Sequence, residues 1–265
     1  MKNTSILHRH FINHCLRSCG AASMLAFIFS TPAFAQAISE TRFNDTTGIE
    51  LKGGAILGAG GTGVSGQASD KAYSADTSSA HKASATLTDN IPAISGCEEM
   101  TVTAWYKPRA DQTGPVELFN AFGTLLIWET EKHEWTWRVD TKPTDPATRM
   151  YWFFSGKPPL KSWMTPGKWT FIAMVWKRSD GSGAIYQGDN STPLALSRTM
   201  QRKDQVEALA ETGNLKRMIG NDPAKQERAF NGDIDNVRFF AKALSQDDLE
   251  KIRAADAANQ AVSLP

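Results

Sequence analysis

Apolar and polar positions alternate along much of this chain with the period of strands. Thr101-Val-Thr-Ala-Trp-Tyr-Lys-Pro108 sets Val102, Ala104 and Tyr106 against Thr101, Thr103 and Trp105, and Pro108 ends the run. Leu125-Leu-Ile-Trp128 and Trp135-Thr-Trp-Arg-Val139 flank a wholly polar stretch, Glu129 to Glu134, which predicts a hairpin. Tyr151-Trp-Phe-Phe154 is apolar on both faces, as a covered strand would be. Trp169 to Trp176 follows Pro166-Gly167, and Asp180-Gly-Ser-Gly183 turns the chain back into Ala184-Ile-Tyr-Gln187. Met200 to Asn214 is charged and reads as a loop with a helical turn. Ile38 to Ala75 is punctuated by Gly53, Gly54, Gly58, Gly60, Gly61, Gly63 and Gly66, which predicts tight turns between short edge strands.

The closing stretch, Phe230 to Ile252, carries the densest signals. Gly232 frees the backbone for a turn or close approach. The apolar residues Ile234, Val237 and Phe239 then step by three and by two, so a β-bulge is expected near Asp235. Ser245 stands three residues ahead of Asp248 and opens a run in which Leu249 and Ile252 share a face, predicting a capped terminal helix.

Composition changes the picture at the beginning of the chain. Lys2, Arg9 and Arg17, the apolar Gly20 to Phe29 and the small-residue Ala33-Phe34-Ala35 read as a signal peptide over residues 1–35, with export and cleavage before Gln36. That apolar stretch is well short of the roughly 18 to 20 residues of a spanning helix, and no later one is longer. The remainder, residues 36–265, fits one β-sandwich with a single core. The leader takes three of the 29 Lys and Arg and none of the 28 Asp and Glu, leaving 26 against 28 and a net charge near −2. Nothing in that balance calls for nucleic acid or an anionic membrane. Cys15 and Cys19 lie in the leader, so Cys97 is alone and no internal disulfide is available. His81 and His133 are too few for a zinc site.

The Gly-Asp-Ile-Asp-Asn-Val-Arg strand at 232–238, the Ala243-Leu-Ser245 turn, Met218-Ile-Gly-Asn221, Gly66 to Tyr73 and the Thr101–Pro108 strand together resemble the LamG-like members of the concanavalin A-like lectin/glucanase superfamily of secreted bacterial proteins. The matches run in family order from about Gly66 to Ile252. This resemblance implies an all-β jelly roll of two antiparallel sheets with a short C-terminal helix, and a domain over 36–265. It also implies one structural Ca²⁺, with Asp235 as side-chain ligand and the segment around Asn44 and Asp45 as its partner.

Candidate chemistry is sparser than the fold. Glu129-x-Glu131-x-x-Glu134 is similar to the Glu-x-Asp-x-x-Glu motif of family 16 glycoside hydrolases, whose retaining mechanism needs two carboxyls about 5 to 5.5 Å apart on one face. Six polar residues between two apolar strands also describe a solvated hairpin turn. Of the eight tryptophans, Trp105, Trp169 and Trp176 match strand positions that fill the core in the family this chain resembles, and Trp135 and Trp137 alternate as one buried face, which leaves Trp128, Trp152 and Trp163 for a sugar-stacking face. The leading reading is a secreted, non-catalytic module that recognises an extracellular polysaccharide or a cell-surface protein. A polysaccharide hydrolase using Glu129 and Glu134, or a structural envelope protein, is the alternative.

Overall fold

A computed structural model describes residues 36–76, 82–88, 95–110, 112, 114–129, 134–141, 151–152, 164–201, 208–210 and 216–262. The leader lies outside the described residues, and the rest belong to one compact unit over 34–265. In chain order the strands are β1 (Ser39–Thr41), β2 (Ile49–Lys52), β3 (Ile56–Leu57), β4 (Tyr73–Ala75), β5 (Ser84–Leu87), β6 (Glu99–Pro108), β7 (Val116–Ala121), β8 (Thr124–Glu129), β9 (Glu134–Val139), β10 (Tyr151–Trp152), β11 (Thr170–Lys177), β12 (Ser182–Asp189), β13 (Ala195–Gln201), β14 (Met218–Ile219) and β15 (Gly232–Phe240). The helix α1 spans Gln246–Ala257.

Among the described residues these strands make two antiparallel sheets. One has eight strands in the order β13-β12-β11-β6-β15-β4-β3, with β1 also on β15, and the other has seven in the order β10-β9-β8-β7-β14-β5-β2. This is the jelly-roll sandwich expected from the alternation. Val102, Ala104 and Tyr106 of β6 and Ile172, Met174 and Trp176 of β11 face Phe119, Leu126, Trp135 and Trp137 of the other sheet in one core. Edge-on ring pairs cross the sandwich, Tyr106 with Trp135 at 5.4 Å and Phe119 with Phe239 at 5.6 Å.

The closing stretch folds as its pattern predicts. Its pairing with β6 shifts register between Asp235 and Arg238, and Asn236 takes the left-handed φ of 48° that such a bulge asks of a short polar residue. At Gly232 an added Cβ would lie 2.3 Å from the Lys107 carbonyl oxygen, so the close approach to β6 requires glycine. Ser245 caps α1 by accepting the Asp248 amide at 3.2 Å.

The helix lies across the outer face of the eight-stranded sheet. Its Leu249 and Ile252 join Trp105, Phe171, Ala173 and Val175 in a second apolar cluster. Beside that cluster Arg238, turned outward past the bulge, donates to both oxygens of Asp256 at 2.8 and 2.7 Å. Trp105 Nε1 adds a third bond to Asp256 at 3.0 Å, and Glu40 on β1 accepts from Arg238 Nε at 2.9 Å. Burial works against the guanidinium charge, and the carboxylates of Asp256 and Glu40 outweigh it, holding Arg238 above its ordinary value.

Removing one partner of such a pair leaves a bare buried charge. Arg238→Ala is therefore expected to cost about 3–5 kcal/mol in urea unfolding, while Arg238→Met with Asp256→Leu recovers most of the loss. The turn after β12 gives a pH prediction. Burial works to raise the Asp189 carboxyl, and Lys168 with the Ser191 and Thr192 amides outweighs it, so Asp189 sits well below its ordinary value. A depressed folded value means that this contribution is present above the unfolded value near 3.8 and is lost as pH falls below it. Urea midpoints measured downward through that range should fall less steeply for Asp189→Asn than for the natural chain; parallel profiles would contradict the assignment.

Candidate functional site

The hairpin of β8 and β9 divides the glutamate motif between two strands. Glu129 ends β8, Glu134 begins β9, and the two pair directly across the hairpin, while Glu131 lies outside the described residues. The single continuous strand that carries the hydrolase motif is thus absent at this position. Trp128 is 5 % exposed and packs edge-on against Trp135 at 5.5 Å, inside the main core. It shares the inward parity of Leu126, so its ring is core filling instead of a sugar platform. Trp152 pairs with Trp137 on the edge strand β10, its side chain outside the described residues, as is all of Trp163.

The outer face of the seven-stranded sheet is closed at its centre. Cross-strand pairing aligns Thr86, Met218, Asn120, Leu125 and Arg138 in one row, and a second row pairs Ile127 with Thr136. Leu125, Ile127 and Thr136 are 6, 4 and 5 % exposed. Glu117 on this face is buried too. Burial pushes its carboxyl up, opposed by bonds from Asn120 at 3.0 Å and Arg228 at 2.9 Å. Among the described residues the buried hydroxyls of Ser84, Thr86 and Thr136 have no hydrogen-bond partner.

The outer face of the other sheet opens where α1 ends. Between the N-terminus of α1 and strands β11, β12 and β13 runs a groove of about 460 Å³. Its floor is set by register, with Val175, Ala184 and Thr199 in one row and Lys177, Ser182 and Gln201 in the next. Leu244 and Ser245 form the wall, and the half-buried ring of Tyr186 closes one end. The wall is fixed from beneath, because Thr101 Oγ1 accepts the Leu244 amide at 3.0 Å and donates to the Lys242 carbonyl at 2.7 Å. Thr199 and Gln201 are exposed. Val175 and Ala184 lie among the hydroxyl, amide and ammonium groups of Thr199, Ser182, Gln201 and Lys177, a mainly polar lining at a volume within the small-ligand range. Met200 and Gln201, the first residues of the stretch read as a loop from sequence, are here the end of β13, which supplies one side of the groove.

The implied calcium ligands have other partners. Asp235 is wholly buried, and its two oxygens accept the amides of Val64 at 3.0 Å and Asn236 at 2.7 Å. Burial, with the negative charges of Asp70 and Asp256, pushes its carboxyl well above the ordinary range. Asn44 accepts the Lys71 amide at 2.9 Å and Asp45 the Thr47 amide at 2.8 Å. No three His, Cys, Asp or Glu gather in a metal-holding group among the described residues.

Two packed antiparallel sheets with a terminal helix define a concanavalin A-like jelly roll. Residues 78–250 match the family model of the concanavalin A-like lectin/glucanases superfamily, and the chain belongs to it. No curated protein matches the sequence. Among solved structures, domain 4 of AbnA, a GH43 extracellular arabinanase from Geobacillus stearothermophilus in complex with arabinotriose, aligns with TM-score 0.50 and 18 % identity over 83 % of this chain and 100 % of that one. The binding domain of Paraclostridial Mosquitocidal Protein 1 aligns at 0.54 and 12 % over 77 % of this chain and 46 % of that one. The receptor binding domain of botulinum neurotoxin C/D mosaic serotype aligns at 0.52 and 16 % over 82 % and 50 %. The chain thus spans about half the length of these toxin domains, and the likeness is one of fold. No helix among the described residues is long and apolar enough to cross a membrane.

The placement of Trp128 is open to test. Trp128→Ala should destabilise the protein by about 3–5 kcal/mol in urea unfolding, as loss of a core indole does. A change below about 1 kcal/mol, typical of exposed positions, would contradict its burial.

Proposed function

We propose that this chain is a secreted, non-catalytic recognition module that binds a glycan in the groove between α1 and β11–β13. The single observation that carries the reading is the groove itself. It sets a partly exposed aromatic ring, Tyr186, and the small apolar surface of Val175 and Ala184 among Thr199, Gln201, Ser245 and Lys177. A pyranose offers C–H faces to the first two and hydroxyls to the polar groups. The volume of about 460 Å³ lies within the range of small-ligand sites and suits one or two sugar residues. The basic start, apolar stretch and Ala-Phe-Ala site of residues 1–35 support export. The arabinotriose held by the AbnA domain shows that a sandwich of this fold accommodates a sugar.

The hydrolase alternative has less support, because Glu129 and Glu134 are the last pair of the β8–β9 ladder, at the tip of the hairpin and outside the groove lining. A binding module leaves its ligand intact, so no new reducing ends should appear on incubation with polysaccharides.

The reading is tested by screening the purified protein on a glycan array and measuring the best ligand against variants. Tyr186→Ala and Gln201→Ala should each weaken binding about tenfold, equivalent to about 1.4 kcal/mol, with an unchanged circular dichroism spectrum. Unchanged affinity in both variants, or capture of a cell-surface protein with no glycan bound, would overturn it.

A further inference from the structure

The Gly-rich loop that leads into β4 meets the closing strand through the carboxylate of Asp235. Val64 enters the apolar cluster under α1, and its amide ends on Asp235 Oδ2 at 3.0 Å. Its carbonyl accepts Asn190 Nδ2 at 2.8 Å. One residue on, Ser65 gives both its amide and its hydroxyl to Asp70 Oδ2, at 2.9 and 2.6 Å. The packing is close enough that a Cβ at Gly63 would lie 2.3 Å from the Asp70 carboxyl carbon.

A calcium ion in this position needs six to eight oxygens with lone pairs turned inward. The groups that converge on Asp235 and Asp70 are N–H and O–H donors, which present their positive ends. The Val64 carbonyl, the Asn44 amide oxygen and the Asp45 carboxylate already have hydrogen-bond donors of their own. This donor set does not fit the calcium that the family resemblance implies.

We infer that Asp235 on β15 and Asp70 within the loop are hydrogen-bonded latches that do the joining work of a cation, so the Gly-rich loop is ordered without metal. Asp235 draws the Val64 amide to β15, and Asp70 closes the loop on itself by taking the Ser65 amide and hydroxyl. The inference is independent of the glycan reading, since its residues lie outside the groove lining.

The test compares thermal melting of the purified protein in EGTA and in added calcium chloride, with hydrogen exchange at the Val64 and Ser65 amides. The Tm and both exchange rates should be the same in the two buffers, and elemental analysis should find no stoichiometric calcium. Asp235→Asn should lower the Tm by roughly 2–12 °C, the cost of leaving one buried amide without its acceptor in a chain of this size, equally with and without calcium. Should Asp235→Asn fail to fold, the unsubstituted protein still decides. A Tm that falls in EGTA and recovers with calcium, or amide exchange that quickens in EGTA, would overturn the inference.

Discussion

The bidentate pairing of Arg238 with Asp256 is the contact on which the rest of this sandwich is arranged. It joins the closing strand to the helix, takes in Trp105 of the central strand and reaches Glu40 of the first. A buried ion pair is weak support for net stability, because desolvation offsets most of its attraction. Its geometry is demanding, however, and that is its use here. The helix is held over Phe171, Ala173 and Val175, and its Gln246 and Glu250 bond the backbone of Leu194, between β12 and β13. The wall of the groove is a consequence of that placement.

The bulge at Asp235 to Arg238 makes the arrangement possible. Without the extra residue the parity of β15 would run unbroken, and a chain that sends Ile234 inward would send Asn236 inward and Val237 outward. With it, Ile234, Val237 and Phe239 all reach the core while Asp235 and Arg238 face the helix and the Gly-rich loop. One strand thus serves the core on one side and two polar fastenings on the other. The outer face of this sheet is covered by helix and loop, and it remains open where both end, at β12 and β13.

Much of this was legible in the sequence because alternation is a direct image of the pleat. The strands β6, β8, β9, β11 and β15, the bulge and the Ser245 cap all correspond to patterns of particular residues. The face of Trp128 was not legible, because Leu125-Leu-Ile-Trp128 is apolar at every position and periodicity cannot say which parity faces inward. The groove was hidden for a related reason. Ala195 to Gln201 is an exposed edge strand, so Met200 and Gln201 look like the start of a charged loop. Lys177, Thr199, Gln201 and Ser245 come together only through register and the helix position, which no local pattern records. The donor set around Asp235 is likewise tertiary, since Val64 is 171 residues away in sequence.

The central claim is that the ligand enters on the helix-bearing face, between α1 and β13. Backbone chemical-shift mapping during titration with an array-selected glycan tests it most directly. The account predicts shifts clustered at Lys177, Ala184, Tyr186, Thr199, Gln201 and Ser245. Shifts confined to Thr86, Asn120, Thr136 and Arg138, on the opposite sheet, would contradict it.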